Sequence, residues 1–276
     1  MNMKDGPQTR NLPDANQLSI LVAGILLAYA ITPYIKIPEQ GFRIPLPGIM
    51  FDFNLNFPTL VSFFVAALAA LGSDWLMKPR IDIDRSQAYQ HWILPALTAW
   101  VIGFPLTFLD VGIYWWAVFF LGGLLLVVVL VAEYIVVDLS DRLFAPASAA
   151  LVAVSYALFL FLSITIRATG LRLYVVIPAL FIAVSLVTLR SIYLRTGGRW
   201  EISWAILCGI IISQFAIGFH YLPINAVHYG LFLLGPAYFI ISLACQIKQN
   251  HIHRGIWIEP SLMLIIFWVF AFVIKV

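Results

Sequence analysis

Charged residues are scarce in this sequence. Lys, Arg, Asp and Glu together make up 11% of its 276 residues, about half of the fraction that is usual in soluble domains. Apolar residues make up 62%, and the mean hydropathy is +0.97. A chain with this composition is neither a water-soluble globule nor a disordered polypeptide, so its solvent is lipid.

Cysteine is also scarce, and blocks of like charge are missing. Cys208 and Cys245 are the two cysteines of the chain, and both lie inside apolar runs. This excludes a disulfide scaffold and favours two buried packing residues. The formal net charge is only +3, without a long basic or acidic block. We therefore expect no nucleic-acid partner.

Short motifs of known membrane chemistries are missing as well. The sequence contains no His-Glu-x-x-His zinc helix, no Gly-x-Ser nucleophile element and no Walker loop. Asp82 and Asp84 lie in a charge-balanced segment and do not match the paired aspartates of polyprenyl-transferring helices. These absences make a known enzyme class less expected, and whether the chain is an enzyme stays open.

The dominant feature of the sequence is a series of apolar runs, each about as long as the ~20 residues that cross a bilayer. They predict an all-α, polytopic transmembrane bundle of eight or nine helices. The nine runs cover residues 17–35, 58–77, 91–109, 112–137, 145–166, 171–194, 203–220, 227–247 and 257–275.

The basic residues predict the orientation of the bundle. With nine crossings, eleven Lys and Arg fall on the side of the N-terminus and five on the other side. Because Lys and Arg accumulate on the cytoplasmic side, the N-terminus is predicted to be cytoplasmic and the C-terminus outside. We expect a multi-pass protein of the inner (plasma) membrane.

Two segments differ from the apolar runs. Residues 1–16 are polar and contain two prolines, which predicts a disordered cytoplasmic leader before a single transmembrane domain at 17–276. Residues 38–57 alternate apolar and polar side chains around a Pro- and Gly-containing stretch. Such alternation favours extended backbone. The sequence therefore predicts an irregular extracytoplasmic segment at 38–57, with a small hairpin as one form.

Ionisable residues inside the helices are the main candidates for a site, because charge at membrane depth is costly. Those at the predicted cytoplasmic ends of the helices could converge in a pocket that binds a charged ligand. The alternative is a structural ion-pair network at the headgroup boundary, in which Asp74 could pair with Lys78. The cluster consists of Asp74, Glu133, Asp138, Arg190 and Glu259.

A second set of candidates lies at the predicted outer side. His220 and His228 flank the short connection between two helices, and Asp110 lies in another loop on that side. Two histidines on adjacent helices could ligate haem or a metal and make the chain an electron carrier. Their position beside a short loop favours interfacial hydrogen bonds instead. We therefore predict no metal and no cofactor.

Three stretches carry a resemblance to a family: residues 91–100, 133–138 and 233–239. From the second helix onward the chain resembles an uncharacterised multi-pass membrane family of Chloroflexota-type bacteria. That resemblance implies a multi-pass fold and no established activity. Residues 17–77 are also similar, in the order of their elements, to the substrate-binding membrane subunits of vitamin transporters.

Taken together, these features predict a non-enzymatic membrane protein that binds or transports a small or lipidic ligand, or that scaffolds a membrane complex. The alternative is a membrane-embedded enzyme that acts on a lipid or polyprenyl substrate at the cytoplasmic leaflet. We expect membrane lipids as partners, together with proteins of a membrane complex.

Overall fold

The computed structural model of the chain divides into two compact units, Met1–Ala147 and Ser148–Val276. The prediction of one domain over 17–276 stays a prediction. The predicted leader falls outside the described residues up to position 12, and the first helix begins at Ala15. The structure describes residues 13–35, 40–46, 49–55, 57–78, 91–138, 141–170, 172–198, 200–249 and 255–274.

The first unit contains four α-helices and one hairpin within its described residues. A 3-10 turn, Thr32–Tyr34, follows the first helix, and the hairpin then leads into the second. The elements are α1 (Ala15–Ile31), β1 (Gln40–Leu46), β2 (Ile49–Leu55), α2 (Phe57–Met77), α3 (Ile93–Phe108) and α4 (Ile113–Val136).

The described part of the second unit is helical. Its first helix begins a few residues before the unit boundary, and short loops join the helices that follow. The elements are α5 (Phe144–Ala168), α6 (Leu173–Thr196), α7 (Ile202–His220), α8 (Ala226–Lys248) and α9 (Ile258–Val273).

The predicted all-α membrane bundle is confirmed, because each of the nine described helices overlaps one predicted apolar run. Seven of them are long and apolar enough to cross a membrane. The exceptions are α3 and α9, which have 16 residues each. At 1.5 Å per residue such a helix spans about 24 Å, less than the ~30 Å hydrocarbon core. Whether these two helices cross the bilayer, and in which orientation, stays a prediction.

The segment at 38–57 forms a regular antiparallel hairpin over most of its length. Gln40 pairs with Leu55 at one end of the ladder, and Leu46 pairs with Ile49 at the other. Paired strands satisfy backbone N–H and C=O groups that a lone extended segment would leave open. The small hairpin that the alternation allowed is therefore the form observed, with regular pairing over 40–46 and 49–55, and the side of the membrane stays a prediction.

Close contacts with glycines pack the helices of the first unit. A Cβ added to Gly103 on α3 would lie 2.7 Å from the Ser62 Oγ and from the Tyr29 hydroxyl. The Tyr29 hydroxyl donates to the Ala99 carbonyl at 2.6 Å, so α1 is fixed to α3 by a buried hydrogen bond. Gly72 on α2 similarly leaves room for Leu21 of α1. Small residues thus let these helices approach closely.

In the second unit, a proline positions α9 against α8. Pro236 lacks an N–H, which deprives the Phe232 carbonyl, four residues earlier, of its helical partner. The indole N–H of Trp268 on α9 donates to this carbonyl at 3.3 Å. A Cβ on Gly235 would lie 3.1 Å from the same indole ring, so glycine permits the close approach. This contact fixes the helix that carries Glu259.

Candidate functional sites

The first unit contains a buried ionisable pair, His91 with Glu133. His91 lies two residues before α3, and Glu133 lies in the last turn of α4. The Nδ1 atom of His91 lies 2.9 Å from Oε2 of Glu133. The exposed fraction is 5% for His91 and 0% for Glu133. The contact is a hydrogen bond when a proton lies on Nδ1 or on the carboxyl group, and it is an ion pair when a protonated imidazole faces the ionised carboxylate.

This pair can hold a proton away from water. An isolated buried carboxylate is costly, whereas one that accepts a hydrogen bond from an imidazole is stabilised. Proton gain or loss changes the net charge of the pair inside the helices. Ionisable groups at such positions commonly line ligand or proton paths in membrane proteins.

The other two predicted residues of this unit lie at helix ends. Asp74 is half-buried in the last turn of α2, and among the described residues it forms no ion pair with Lys78, the partner suggested by the sequence. Asp138 is half-buried two residues after α4, where its backbone N–H donates to the Ile135 carbonyl at 3.2 Å.

In the second unit, Glu259 joins a polar network at the first turn of α9. The Tyr238 hydroxyl donates to Oε1 of Glu259 at 2.7 Å, and Nε2 of Gln246 donates to Oε2 at 3.0 Å. Gln246 also lies 3.4 Å from the hydroxyl of Ser242, one turn away on α8. The guanidinium of Arg195 on α6 lies beside the Tyr238 hydroxyl. Three helices therefore meet at this network.

Arg190 lies one turn earlier on α6 than Arg195. It is 5% exposed, and its guanidinium carbon lies 5.2 Å from the centre of the Tyr193 ring. Within the described part of the second unit, Arg190 forms no ion pair with Glu259. Three of the five predicted residues belong to the first unit and two to the second. Their convergence in one pocket therefore stays a prediction.

The outer candidates are the two histidines of the second unit and Asp110 of the first. His220 ends α7, and His228 lies in the first turn of α8. The Nδ1 atoms of both rings are buried, without a hydrogen-bond partner among the described residues. Asp110 is exposed in the turn before α4. In the described ranges, no three His, Cys, Asp or Glu residues are grouped as a metal site would require.

The partners of the two glutamates were not predicted from the sequence. His91 was visible only as a polar residue at the start of a predicted helix. Ser242 and Gln246, four residues apart in an apolar run, could have indicated a polar stripe on α8. The two cysteines, by contrast, are buried and free, as their apolar surroundings predicted.

Most of the chain is similar to a known protein family. Residues 37–274 match a family model described as "Protein of unknown function (DUF5656)". No curated protein and no solved structure matches the chain. The match agrees with the predicted resemblance to an uncharacterised family, while an origin in Chloroflexota-type bacteria stays a prediction.

Proposed function

Because the chain belongs to the DUF5656 family of proteins of unknown function, we propose a function from its geometry. The chain is a non-enzymatic membrane protein that binds or transports a small or lipidic ligand. The observation that supports this proposal is the His91–Glu133 pair, whose carboxylate has an exposed fraction of 0%.

The energetic cost of a buried ionisable pair favours a functional role over a purely structural one. Apolar residues of similar volume often stabilise a protein as well as a buried ion pair does, or better. The bilayer adds to the cost of ionisable groups, so membrane helices rarely keep them without a role. We assign the His91–Glu133 pair the role of changing charge when the ligand binds or leaves.

The site of this activity is the inner (plasma) membrane, with the N-terminus in the cytoplasm. The excess of basic residues on the predicted inner side supports this orientation. Reporter fusions at positions 140 and 223 test it, because the predicted topology places these loops on opposite sides. Cytoplasmic activity at 140 and external activity at 223 are expected, and the reverse pattern would overturn the assignment.

Native mass spectrometry of protein extracted gently from its own membrane tests the ligand. We expect a defined adduct of a few hundred daltons on the wild type, lost in both Glu133→Gln and His91→Gln. The matched control is Glu201→Gln, which alters a partly exposed carboxylate that pairs with Lys248 at 2.8 Å. This control keeps the adduct.

Circular dichroism and thermal melting establish that the variants remain folded. A wild type without an adduct contradicts the proposal. So does a folded Glu133→Gln variant that retains the same adduct, where bound phospholipids are recognised by their mass and counted separately. A co-purifying protein in place of a small adduct would instead favour the scaffold interpretation.

A further inference from the structure

The network around Glu259 contains two opposite charges, on Arg195 and Glu259, which both lie beside one hydroxyl group. Arg195 and Glu259 both adjoin the Tyr238 hydroxyl, Glu259 at 2.7 Å. Within the described residues, no ion pair connects the two. The hydroxyl between them keeps the guanidinium and the carboxylate apart. A separated pair of this kind can accept a ligand that carries both charges.

Both groups retain hydrogen-bonding capacity for such a ligand. A guanidinium has five N–H donors, and the side-chain hydrogen bond described for Arg195 is the one with the Tyr238 hydroxyl, while Tyr156 and Cys245 also lie near it. A carboxylate has about four acceptor positions, and Tyr238 and Gln246 occupy two of them. Glu259 is exposed and Arg195 is half-buried, so a ligand can reach them from the surface of the unit.

The surroundings of Glu259 on α9 are suited to a lipid. Trp257, two residues earlier, is 58% exposed, and tryptophan is enriched at the headgroup level of membranes. A shallow, mostly apolar strip runs along one side of α9 from Trp257 and Ile258 to Ile266. A strip of this composition offers an apolar surface against which an acyl chain can pack.

We propose that Arg195, Tyr238 and Glu259 bind the headgroup of a phosphatidylethanolamine lipid. Its ammonium group donates to the Glu259 carboxylate, and its phosphate accepts from the Arg195 guanidinium. One acyl chain packs against the apolar strip along α9. This site belongs to the second unit alone and does not depend on the function proposed for His91 and Glu133.

The headgroup chemistry distinguishes this lipid from its neighbours in the membrane. Phosphatidylcholine has the phosphate, but its quaternary ammonium has no N–H to donate to Glu259. Phosphatidylglycerol has the phosphate and no cation, which leaves its negative charge near that carboxylate without compensation. Of these three lipids, phosphatidylethanolamine is the one that satisfies both groups of the protein with hydrogen bonds.

Native mass spectrometry of the delipidated full chain tests the site, with each of the three lipids supplied at equal concentration and with the same acyl chains. We expect phosphatidylethanolamine adducts to exceed the other two by about tenfold, the ratio for one charge-assisted hydrogen bond. Glu259→Gln should lower the preference over phosphatidylcholine to about one. Arg195→Gln should weaken the binding of all three lipids.

The controls separate this proposal from the preceding one. Glu133→Gln and Glu201→Gln should leave the lipid preference unchanged. Equal or stronger binding of phosphatidylglycerol to the wild type would overturn the proposal, because it would indicate a site for phosphate alone. An unchanged preference in Glu259→Gln would overturn it too. That variant changes an exposed side chain, so its interpretation holds even where Arg195→Gln fails to fold.

Discussion

Each of the two units has a glutamate in a helix, and the two glutamates differ in burial and in the groups that donate to them. Glu133 of the first unit is fully buried with an imidazole as partner, whereas Glu259 of the second is exposed and receives neutral hydroxyl and amide donors. A buried carboxylate depends on its partner, because water cannot replace a lost hydrogen bond. An exposed carboxylate keeps access to solvent or headgroups. The free-energy cost of a glutamate side chain is therefore high in the first unit and low in the second.

Removal of one partner of the buried pair should have the largest effect on the free energy of unfolding. His91→Leu leaves Glu133 buried without its imidazole, and we expect the free energy of unfolding to fall by about 3–5 kcal/mol. Denaturant titration in detergent micelles measures the change. A loss below about 1 kcal/mol would show that the pair is not buried as the structure has it.

A double substitution tests whether the two side chains interact directly. In His91→Leu/Glu133→Leu both ionisable groups of the pair are gone, so neither is left buried without the other. We expect the double variant to recover most of the stability lost in His91→Leu. Additive losses from the two single changes would argue against a direct interaction between the two side chains.

Glycine packing in the first unit should give the next largest effect. Gly103→Ala places a Cβ 2.7 Å from both the Ser62 and Tyr29 oxygens, which forces the helices apart. We expect a loss of about 1–3 kcal/mol in the free energy of unfolding. Gly218→Ala on α7 is the matched control, because no atom lies within 4 Å of its added Cβ. Thermal melting should show the control to be as stable as the wild type or slightly more so.

The contact between α8 and α9 predicts a smaller effect. Trp268→Phe keeps a large ring but removes the N–H that serves the Phe232 carbonyl, so about 1 kcal/mol of stability should be lost. In a Pro236→Ala background the helix supplies its own donor to that carbonyl. The same Trp268 substitution should therefore cost less there. Equal losses in both backgrounds, measured by thermal melting, would contradict this explanation.

The smallest effect on stability should come from the exposed carboxylate. Glu259→Gln retains an oxygen that can accept from Tyr238 or Gln246, and we expect a change within about 0.5 kcal/mol. A loss as large as that of His91→Leu would remove the contrast between the two units. Denaturant titration under the same conditions makes the two values directly comparable.

The fold could be predicted from the sequence because apolar runs of membrane length determine where helices form. The predicted run at 58–77 and the observed α2, Phe57–Met77, differ by one residue at one end. The predicted starts of α3 and α9 were less accurate. His91 and Trp257 were included in the predicted runs, but the helices begin at Ile93 and Ile258.

The candidate sites could be predicted only in part. Glu133 and Glu259 stand out in the sequence because charge is rare in apolar runs. Their partners do not stand out, since the contact of His91 with Glu133 joins residues 42 positions apart. Such contacts depend on how the helices pack and rotate, which a periodicity of apolar residues does not specify. Similarly, the Trp268 contact depends on a carbonyl released by a proline on another helix.

The most direct test of the account is a ¹⁵N spectrum of the imidazole nitrogens in lipid nanodiscs, recorded for the wild type and for Glu133→Gln. The chain has five histidines, and His91→Gln identifies the signals of His91. The account predicts that Glu133→Gln shifts the Nδ1 signal of His91 and leaves that of His228 in place. Identical His91 signals in both proteins would contradict the buried pair, and with it the proposed function.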